Sequence, residues 1–167
     1  MISLLRKGLV FFICLWFLEF ISPTFAAIQT ISMPVSVNVL PGCIITATPL
    51  VFGLYNPNAA LSTKSIARLN LLCTLNTPYS IALDQGVGDS ATTRLRTMSG
   101  PGFEAIRYTL SQNPTHTINW GNIVGVDTVL GNGTGIKQYL TVYGEIPAKQ
   151  NVEMGAYRDV VNVSIIF

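Results

Sequence analysis

The sequence predicts an all-β protein, a β-sandwich of about seven or eight short strands. Short apolar segments alternate with a period of two, and none sustains a helical period of 3.6 residues. Gly, Pro and small polar residues separate these segments at short intervals, as in turn-linked strands. Hydrophobic residues make up 49% of the chain and charged residues only 11%, so apolar side chains are available for the two inner faces of a sandwich.

Length and charge exclude several classes of protein. The 167 residues fit one domain. The net charge of +2 comes from scattered Lys and Arg residues without a basic run, so binding to nucleic acid is not predicted. The aromatic and β-branched content is too high for a disordered chain.

Residues 1–26 have the features of a secretory signal peptide. The basic pair Arg6 and Lys7 precedes an apolar stretch that ends at Phe20, and Thr24-Phe25-Ala26 provides small residues at the −3 and −1 positions of a cleavage site. The alternative is a membrane anchor, but about 12 apolar residues fall short of the ~20 that span a bilayer. We therefore expect export and a mature chain of about 140 residues.

Export leaves two cysteines, Cys43 and Cys73, because Cys14 lies in the signal peptide. An even pair in an exported chain predicts one disulfide bond, with two free buried thiols as the alternative. Closing a loop of about 31 residues should stabilise the fold by ~3–4 kcal/mol.

The most regular alternation follows the signal peptide directly. Its apolar side chains occupy every second position, so all of them point to one face of an extended strand. Pro41-Gly42 ends the segment, and Pro34 within it lacks the N–H that a ladder on both sides would need. The apolar residues are Ile31, Met33, Val35, Val37 and Val39.

The rest of the mature chain predicts the other strands of the sandwich. Apolar and polar residues alternate at residues 79–83 and 106–110, which predicts half-buried strands, and loops are expected at residues 55–65, 85–93 and 112–135. Within the last loop, residues 131–135 have the composition of a hairpin loop. The expected strands are residues 43–52, 66–75, 79–83, 106–110, 139–146 and 157–167.

Candidate residues for chemistry form no recognisable site. His116 is the single histidine and is interpreted as a surface loop residue, because a metal site needs three or four ligands. A serine triad would have to use this histidine, and no Gly-x-Ser-x-Gly motif is present. We therefore predict no enzyme, no metal and no cofactor. The carboxylates of the mature chain are spread singly and are interpreted as surface charges: Asp84, Asp89, Glu104, Asp127, Glu145, Glu153 and Asp159.

Several short motifs occur in a specific order over nearly all of residues 28–167. With this order and spacing the chain resembles the spore coat protein U family, which includes subunits of archaic chaperone–usher pili. The motifs are Cys43-Ile44-Ile45, residues 49–55, Leu71-Leu72-Cys73-Thr74, residues 78–83, Arg96-Thr97-Met98, residues 106–110, Trp120-Gly121, residues 142–150 and Gly155-Ala156-Tyr157-Arg158-Asp159.

The resemblance implies an incomplete immunoglobulin-like β-sandwich that is completed by donor-strand exchange. In such pilins a periplasmic chaperone first fills the open groove, and the N-terminal extension of the next subunit replaces it at the outer-membrane usher. The alternating segment has the features of this extension, and burying its five apolar side chains is worth roughly 8–15 kcal/mol before ordering costs. The alternative is that residues 31–39 form the first strand of their own sheet.

The expected domain organisation follows from these observations. Residues 1–26 form the signal peptide, residues 27–41 the donor-strand extension, with an allowed overlap into the first strand, and residues 42–167 the β-sandwich domain. We expect a structural subunit of a secreted surface fibre that supports adhesion and biofilm formation. Its partners would be the chaperone, the usher and neighbouring pilin subunits, in a homopolymer or a heteropolymer.

Three alternative functions remain open. A fibre-tip adhesin of this type usually carries an additional receptor domain, for which about 140 residues leave no room. A non-fibrous coat or matrix protein could have the same fold. A secreted hydrolase is the third alternative.

Overall fold

The computed structural model describes residues 26–167, so the expected signal peptide up to Phe25 lies outside the described residues. The described chain forms eight strands and one short 3₁₀ turn at Pro101–Phe103. It contains no helix of the length and hydropathy needed to cross a membrane. The strands are β1 (Cys43–Ala47), β2 (Thr63–Cys73), β3 (Pro78–Leu83), β4 (Arg96–Ser99), β5 (Ala105–Ser111), β6 (Val129–Asn132), β7 (Lys137–Ile146) and β8 (Val163–Ile166).

The strands form two antiparallel sheets. The larger sheet has the order β1-β2-β7-β5-β4, and the smaller has the order β6-β3-β8. Inward-facing side chains of both sheets share one core, in which Leu69 and Leu71 of β2 and Ile81 and Leu83 of β3 are at most 2% exposed. This architecture confirms the predicted all-β sandwich.

The pair β2–β7 forms the centre of the larger sheet. Its register runs from Thr63 opposite Ile146 to Leu72 opposite Lys137. Along β2, buried residues alternate with exposed ones, and the buried set ends at Cys73. The strand predicted at residues 66–75 is confirmed here, although it begins at Thr63 and ends at Cys73.

β3 differs from its prediction because it is buried on both faces. The predicted outer residues Ser80 and Ala82 are 4% and 5% exposed. The turn-rich segment that follows β5 covers this strand: Trp120 Nε1 donates to the Ile81 carbonyl at 2.9 Å, and Ser80 Oγ donates to Thr128 Oγ1 at 2.8 Å. The burial of the outer face of β3 therefore depends on contacts with residues that are distant in the sequence.

Two predicted strands are longer than the observed ones. β1 ends at Ala47 rather than Phe52. β8 begins at Val163 rather than Tyr157. The residues before it belong to the opposite end of the larger sheet, where Arg158 and Ser99 exchange two backbone hydrogen bonds of 2.9 Å.

The predicted hairpin loop at residues 131–135 is wrong. Gly131 and Asn132 belong to β6, which pairs with β3, whereas the following strand β7 lies in the other sheet. The connection therefore crosses between sheets. Gly131 is required by close packing, since a Cβ at this position would lie 2.5 Å from the ring of Tyr79. β4 and β6 have only four residues each, too few for a clear alternation.

The predicted disulfide bond between Cys43 and Cys73 is confirmed. The two residues lie directly opposite each other in the antiparallel pair β1–β2, and their sulfur atoms are bonded. The bond fastens β1, an edge strand, to the centre of its sheet.

Removing this bond should destabilise the domain by about 3–4 kcal/mol, because the unfolded chain regains the entropy of an open loop. The measurement is urea unfolding of the double variant C43A/C73A against the unmodified chain, each in its chaperone-bound or assembled form, followed by fluorescence of the buried Trp120. Peptide mass spectrometry of the unreduced protein should show the Cys43–Cys73 cross-link. Two thiols open to alkylation in the native chain would contradict this assignment.

Candidate subunit-assembly site

β1 and β8 are edge strands that lie near each other, one in each sheet. β1 pairs with β2 and β8 pairs with β3, and within residues 26–167 no strand pairs with the other side of either. The sandwich is therefore open along one side. We call the space between these two edges the groove.

The free edge of β1 presents the backbone groups of its odd-numbered residues. The Thr48 N–H donates to the carbonyl of Arg68, and the Thr74 N–H donates to the carbonyl of Gly42, both at 2.9 Å. In an antiparallel pair such groups alternate along the strand, so even-numbered residues face β2. The groups that face the groove belong to Cys43, Ile45 and Ala47.

β8 presents its free edge in the same way. The Asp84 N–H donates to the carbonyl of Asn162 at 3.1 Å, which assigns the even-numbered residues to the pair with β3. Val163 and Ile165 therefore direct their N–H and C=O groups into the groove. An unpaired row of this kind is a template for another strand.

Apolar side chains along the groove are only half-buried. Ile45 of β1 and both Val163 and Ile165 of β8 pack against the core without being covered by it. Residues at corresponding positions of the inner strands β2 and β3 are almost fully buried. The core is therefore accessible from the groove, and an added strand with apolar side chains would cover it.

The segment after β1 extends the edge beyond Ala47. Ser65 Oγ donates to the Val51 carbonyl at 2.6 Å and holds this segment beside β2. Leu50 and Phe52 pack over Gly144 of β7, where a Cβ would lie 3.0 Å or less from both side chains. Glycine at this position makes room for the two apolar residues.

The alternating N-terminal segment forms no strand in the structure. Among the described residues, positions 26–42 take part in no ladder. The predicted donor residues expose between 77% and 88% of their surface: Ile31, Met33, Val35, Val37 and Val39. Five apolar side chains on one face of an unpaired segment would gain by burial elsewhere.

A buried arginine holds the end of β3 that supports β8. Arg96 is fully buried and donates from Nε to the carbonyl of Asp84 at 2.8 Å. Its Nη2 donates to the carbonyls of Leu83 at 3.1 Å and Trp120 at 2.9 Å, and its Nη1 donates to Thr93 at 2.7 Å. Burial lowers the pKa of Arg96, and nearby Tyr108 and carboxylates oppose this effect.

Asp84 connects β3 to the start of β8 and is not an isolated surface charge as predicted. Its Oδ1 accepts hydrogen bonds from the N–H groups of Gly86 and Asn162, both at 2.9 Å. Its Oδ2 accepts from Nδ2 of Asn162 at 2.7 Å. Burial raises the pKa of Asp84, but these hydrogen bonds and the charge of Arg96 outweigh it, so the pKa lies below its ordinary value.

The lowered pKa of Asp84 predicts acid sensitivity. A carboxyl group whose pKa is lower in the folded than in the unfolded chain stabilises the fold above the unfolded pKa near 4 and loses that contribution as the pH falls through the folded value. Asp84→Asn should therefore reduce the decrease in unfolding free energy below about pH 4. Urea unfolding of the chaperone-bound or assembled chain at a series of pH values measures this, and an identical acid profile for both chains would contradict it.

Asp159 also departs from the prediction of a surface charge. Its Oδ2 accepts a hydrogen bond of 2.6 Å from the hydroxyl of Tyr108, and its Oδ1 accepts one of 2.8 Å from the N–H of Val87. Burial, with the hydrogen bond to Asp159, raises the pKa of Tyr108 far above its ordinary value. The Tyr157-Arg158-Asp159 motif therefore fixes the path by which the chain crosses towards β8.

The side chain of Gln150 forms hydrogen bonds with the backbone of β5. The Gln150 side chain accepts from the Arg107 N–H and donates to the Arg107 carbonyl, both at 2.8 Å. This amide acts as a short substitute for a neighbouring strand on β5. Tyr55 connects the motif around Gln150 to the segment after β1, since its hydroxyl donates to the carbonyl of Pro147 at 2.9 Å.

His116 is not the surface side chain that the sequence predicts. Its side chain is 6% exposed, its ring packs edge-on against Tyr143, and Nδ1 lies 3.8 Å from Oε2 of Glu145. The backbone φ of 57° turns it back onto β7. Over residues 26–167 the structure shows no group of three or more histidine, cysteine or carboxylate side chains that could hold a metal ion.

The described residues thus form a two-sheet antiparallel β-sandwich in which the edge strands β1 and β8 are unpaired along the groove. The Spore Coat Protein U domain matches residues 29–164. Protein U of Myxococcus xanthus is 34% identical over 160 residues, which cover 87% of this chain and 89% of that protein. The chain belongs to the Spore Coat Protein U domain family, whose members are structural proteins, and this confirms the prediction that it is not an enzyme.

A solved structure of a pilus subunit complex shares this fold. The crystal structure of the CsuC–CsuE chaperone–tip adhesion subunit pre-assembly complex, from archaic chaperone–usher Csu pili of Acinetobacter baumannii, matches with a TM-score of 0.58 and 24% identity. The match covers 77% of this chain and 40% of that one, so the chain spans about two fifths of the solved chain. HdaB, the minor tip subunit of the E. coli Hda pilus, has a lower TM-score of 0.41 at 19% identity, covering 74% of this chain and 79% of its own.

Proposed function

We propose that the protein is a structural subunit of a secreted surface fibre. In this fibre, residues 31–39 of one subunit occupy the groove of its neighbour. The observation that supports this best is a matched pair of features in one chain. The groove between β1 and β8 lacks a strand, and the exposed N-terminal segment has the alternation of a strand that lacks a sheet.

The chemistry of the two features is complementary. The backbone groups at both edges of the groove can bind an extended segment, while alternate side chains of that segment cover the half-buried core. Burying five apolar side chains contributes roughly 8–15 kcal/mol before ordering costs, which is sufficient for a long-lived joint. No covalent step is needed.

The proposal includes a route of assembly. Residues 1–26 direct export, residues 27–41 are the donor extension, and residues 42–167 form the receiving sandwich. A periplasmic chaperone covers the groove until an outer-membrane usher exchanges it for the extension of the next subunit. The solved CsuE chain, which shares this fold, is a pilus subunit bound to its chaperone CsuC. The fibre would then support adhesion and biofilm formation at the cell surface.

The isolated chain should be unstable or self-associate when no chaperone is present, because the groove exposes both core and a bare strand edge. We expect co-expression with its chaperone to give a soluble complex of the two proteins, and expression alone to give oligomers or aggregates. Size-exclusion chromatography with light scattering measures this. A monomer that melts cooperatively without a chaperone would contradict the proposal.

A non-fibrous coat or matrix protein is the second candidate, and the description of the family as a spore coat domain favours it. Both candidates can use the same joint between subunits. Electron microscopy of the exporting cell distinguishes them, since thin fibres support the first and an amorphous layer supports the second.

A further inference from the structure

We propose that Pro41 prevents residues 31–39 from folding back onto β1 of their own subunit, so that the groove remains open for a neighbour. This inference rests on the proposed function, because it concerns which subunit supplies the added strand. It assigns a role in assembly to the last residue of the donor extension, which lies outside both the alternating residues 31–39 and the groove.

Folding back is the nearest competing route. Only Leu40, Pro41 and Gly42 separate Val39 from Cys43, the first residue of β1. A strand that joins its own sheet through so short a loop forms a β-hairpin within microseconds. A neighbour must instead arrive by diffusion, whereas a short tether provides an effective concentration in the millimolar range. Without an obstacle, the hairpin would compete with polymerisation.

The structure determines which hairpin could fill the groove. The Gly42 carbonyl accepts from the Thr74 N–H at 2.9 Å, so Gly42 faces β2 and Cys43 is the first residue that faces the groove. Opposed residues of an antiparallel pair point to the same face. Because Cys43 and Ile45 point inward, only odd-numbered residues opposite them would bring valine side chains to the core. The loop must therefore contain an odd number of residues.

The shortest loop with this property is residues 40–42. It places Val39 opposite Cys43, Val37 opposite Ile45 and Val35 opposite Ala47, which matches all three apolar residues to the groove. A five-residue loop keeps the same faces but leaves Val39 in the loop, outside the core. A two-residue loop would turn the valines towards solvent.

Pro41 opposes the three-residue loop. Such a loop uses right-handed helical conformations at its first two positions and a left-handed one at its third. Gly42 suits the third position, but proline at the second forces Leu40 out of the helical region. The two-residue loop also fails, because its first residue needs a positive φ that proline cannot adopt. In the structure Gly42 is not among the glycines with positive φ, so the hairpin conformation is not adopted.

The test is Pro41→Asn in the full chain, co-expressed with the chaperone and the usher. An asparagine at position 41, directly before Gly42, can adopt the backbone conformation that the three-residue loop requires. We expect the ratio of monomer to polymer to rise about tenfold or more, and hydrogen exchange of residues 31–39 to slow in that monomer. Leu40→Asn is the matched control, since it changes the same loop but retains Pro41, and it should leave the ratio unchanged.

Two further variants make the outcome decisive. Pro41→Asn combined with Val37→Asp should lose the slowed hydrogen exchange of residues 31–39, because the hairpin needs Val37 in the core. If Pro41→Asn aggregates, Pro41→Ala provides the same measurement with a smaller expected rise. Normal fibres and an unchanged ratio in both Pro41 variants would overturn the role of Pro41 and leave the proposed function intact. An unmodified chain that forms no polymer would instead overturn the proposed function.

Discussion

Replacing Val35 or Val37 with Asp should abolish polymerisation and leave the subunit's own sandwich folded. In the assembled joint, the new carboxylate would enter an apolar groove and remain charged without a partner or become protonated, which costs several kcal/mol in either form. In the unassembled subunit, Val35 and Val37 are 84% and 85% exposed, so the same change costs little there. The length distribution of surface fibres by electron microscopy is the measurement.

Ser36→Asp is the matched control, because an even-numbered position faces away from the core when its neighbours face towards it. Fibres of normal length are expected from this variant. Normal fibres from Val35→Asp and Val37→Asp would refute the donor role of the segment. Loss of chaperone binding by these two variants would also contradict the account, since it would place both valines in the subunit's own core.

Arg96→Leu should destabilise the domain by roughly 3–5 kcal/mol, the largest effect that we expect from a single substitution outside the joint. The guanidinium donates to four backbone carbonyls in the interior, and leucine leaves all four without this donor. Because two of these carbonyls belong to Leu83 and Asp84 at the end of β3, the support of β8 should weaken as well.

The measurement is urea unfolding of the chaperone-bound or assembled chain, with Arg94→Leu as the control. Arg94 is exposed and makes no ion pair in the described part of the chain, so its replacement should change stability by no more than about 0.5 kcal/mol. Equal stabilities of the two variants would show that the buried hydrogen bonds of Arg96 do not hold the sandwich together.

Local sequence patterns predict the features of this fold that depend on neighbouring residues. The alternation in β5 predicts this strand because one of its faces lies on the core. The Cys43–Cys73 bond is predicted because the expected removal of a signal peptide would leave only this pair. The alternation of the N-terminal segment is also predictable, because it can be read directly from consecutive residues of the sequence.

Features that depend on distant contacts are not predictable in this way. The burial of Arg96 comes from carbonyls of three separate segments, and no local pattern distinguishes it from the exposed Arg94. The groove is a property of two strands, β1 and β8, that are far apart in sequence. His116 is buried by a turn in its backbone, which a single histidine between two threonines does not indicate.

A cryo-electron microscopy map of the assembled polymer tests the central claim most directly. We predict continuous density for residues 31–39 of one subunit between β1 and β8 of the next, with the odd-numbered side chains directed towards the core of that neighbour. Density for this segment along its own β1, or a groove that remains empty in the polymer, would contradict the account.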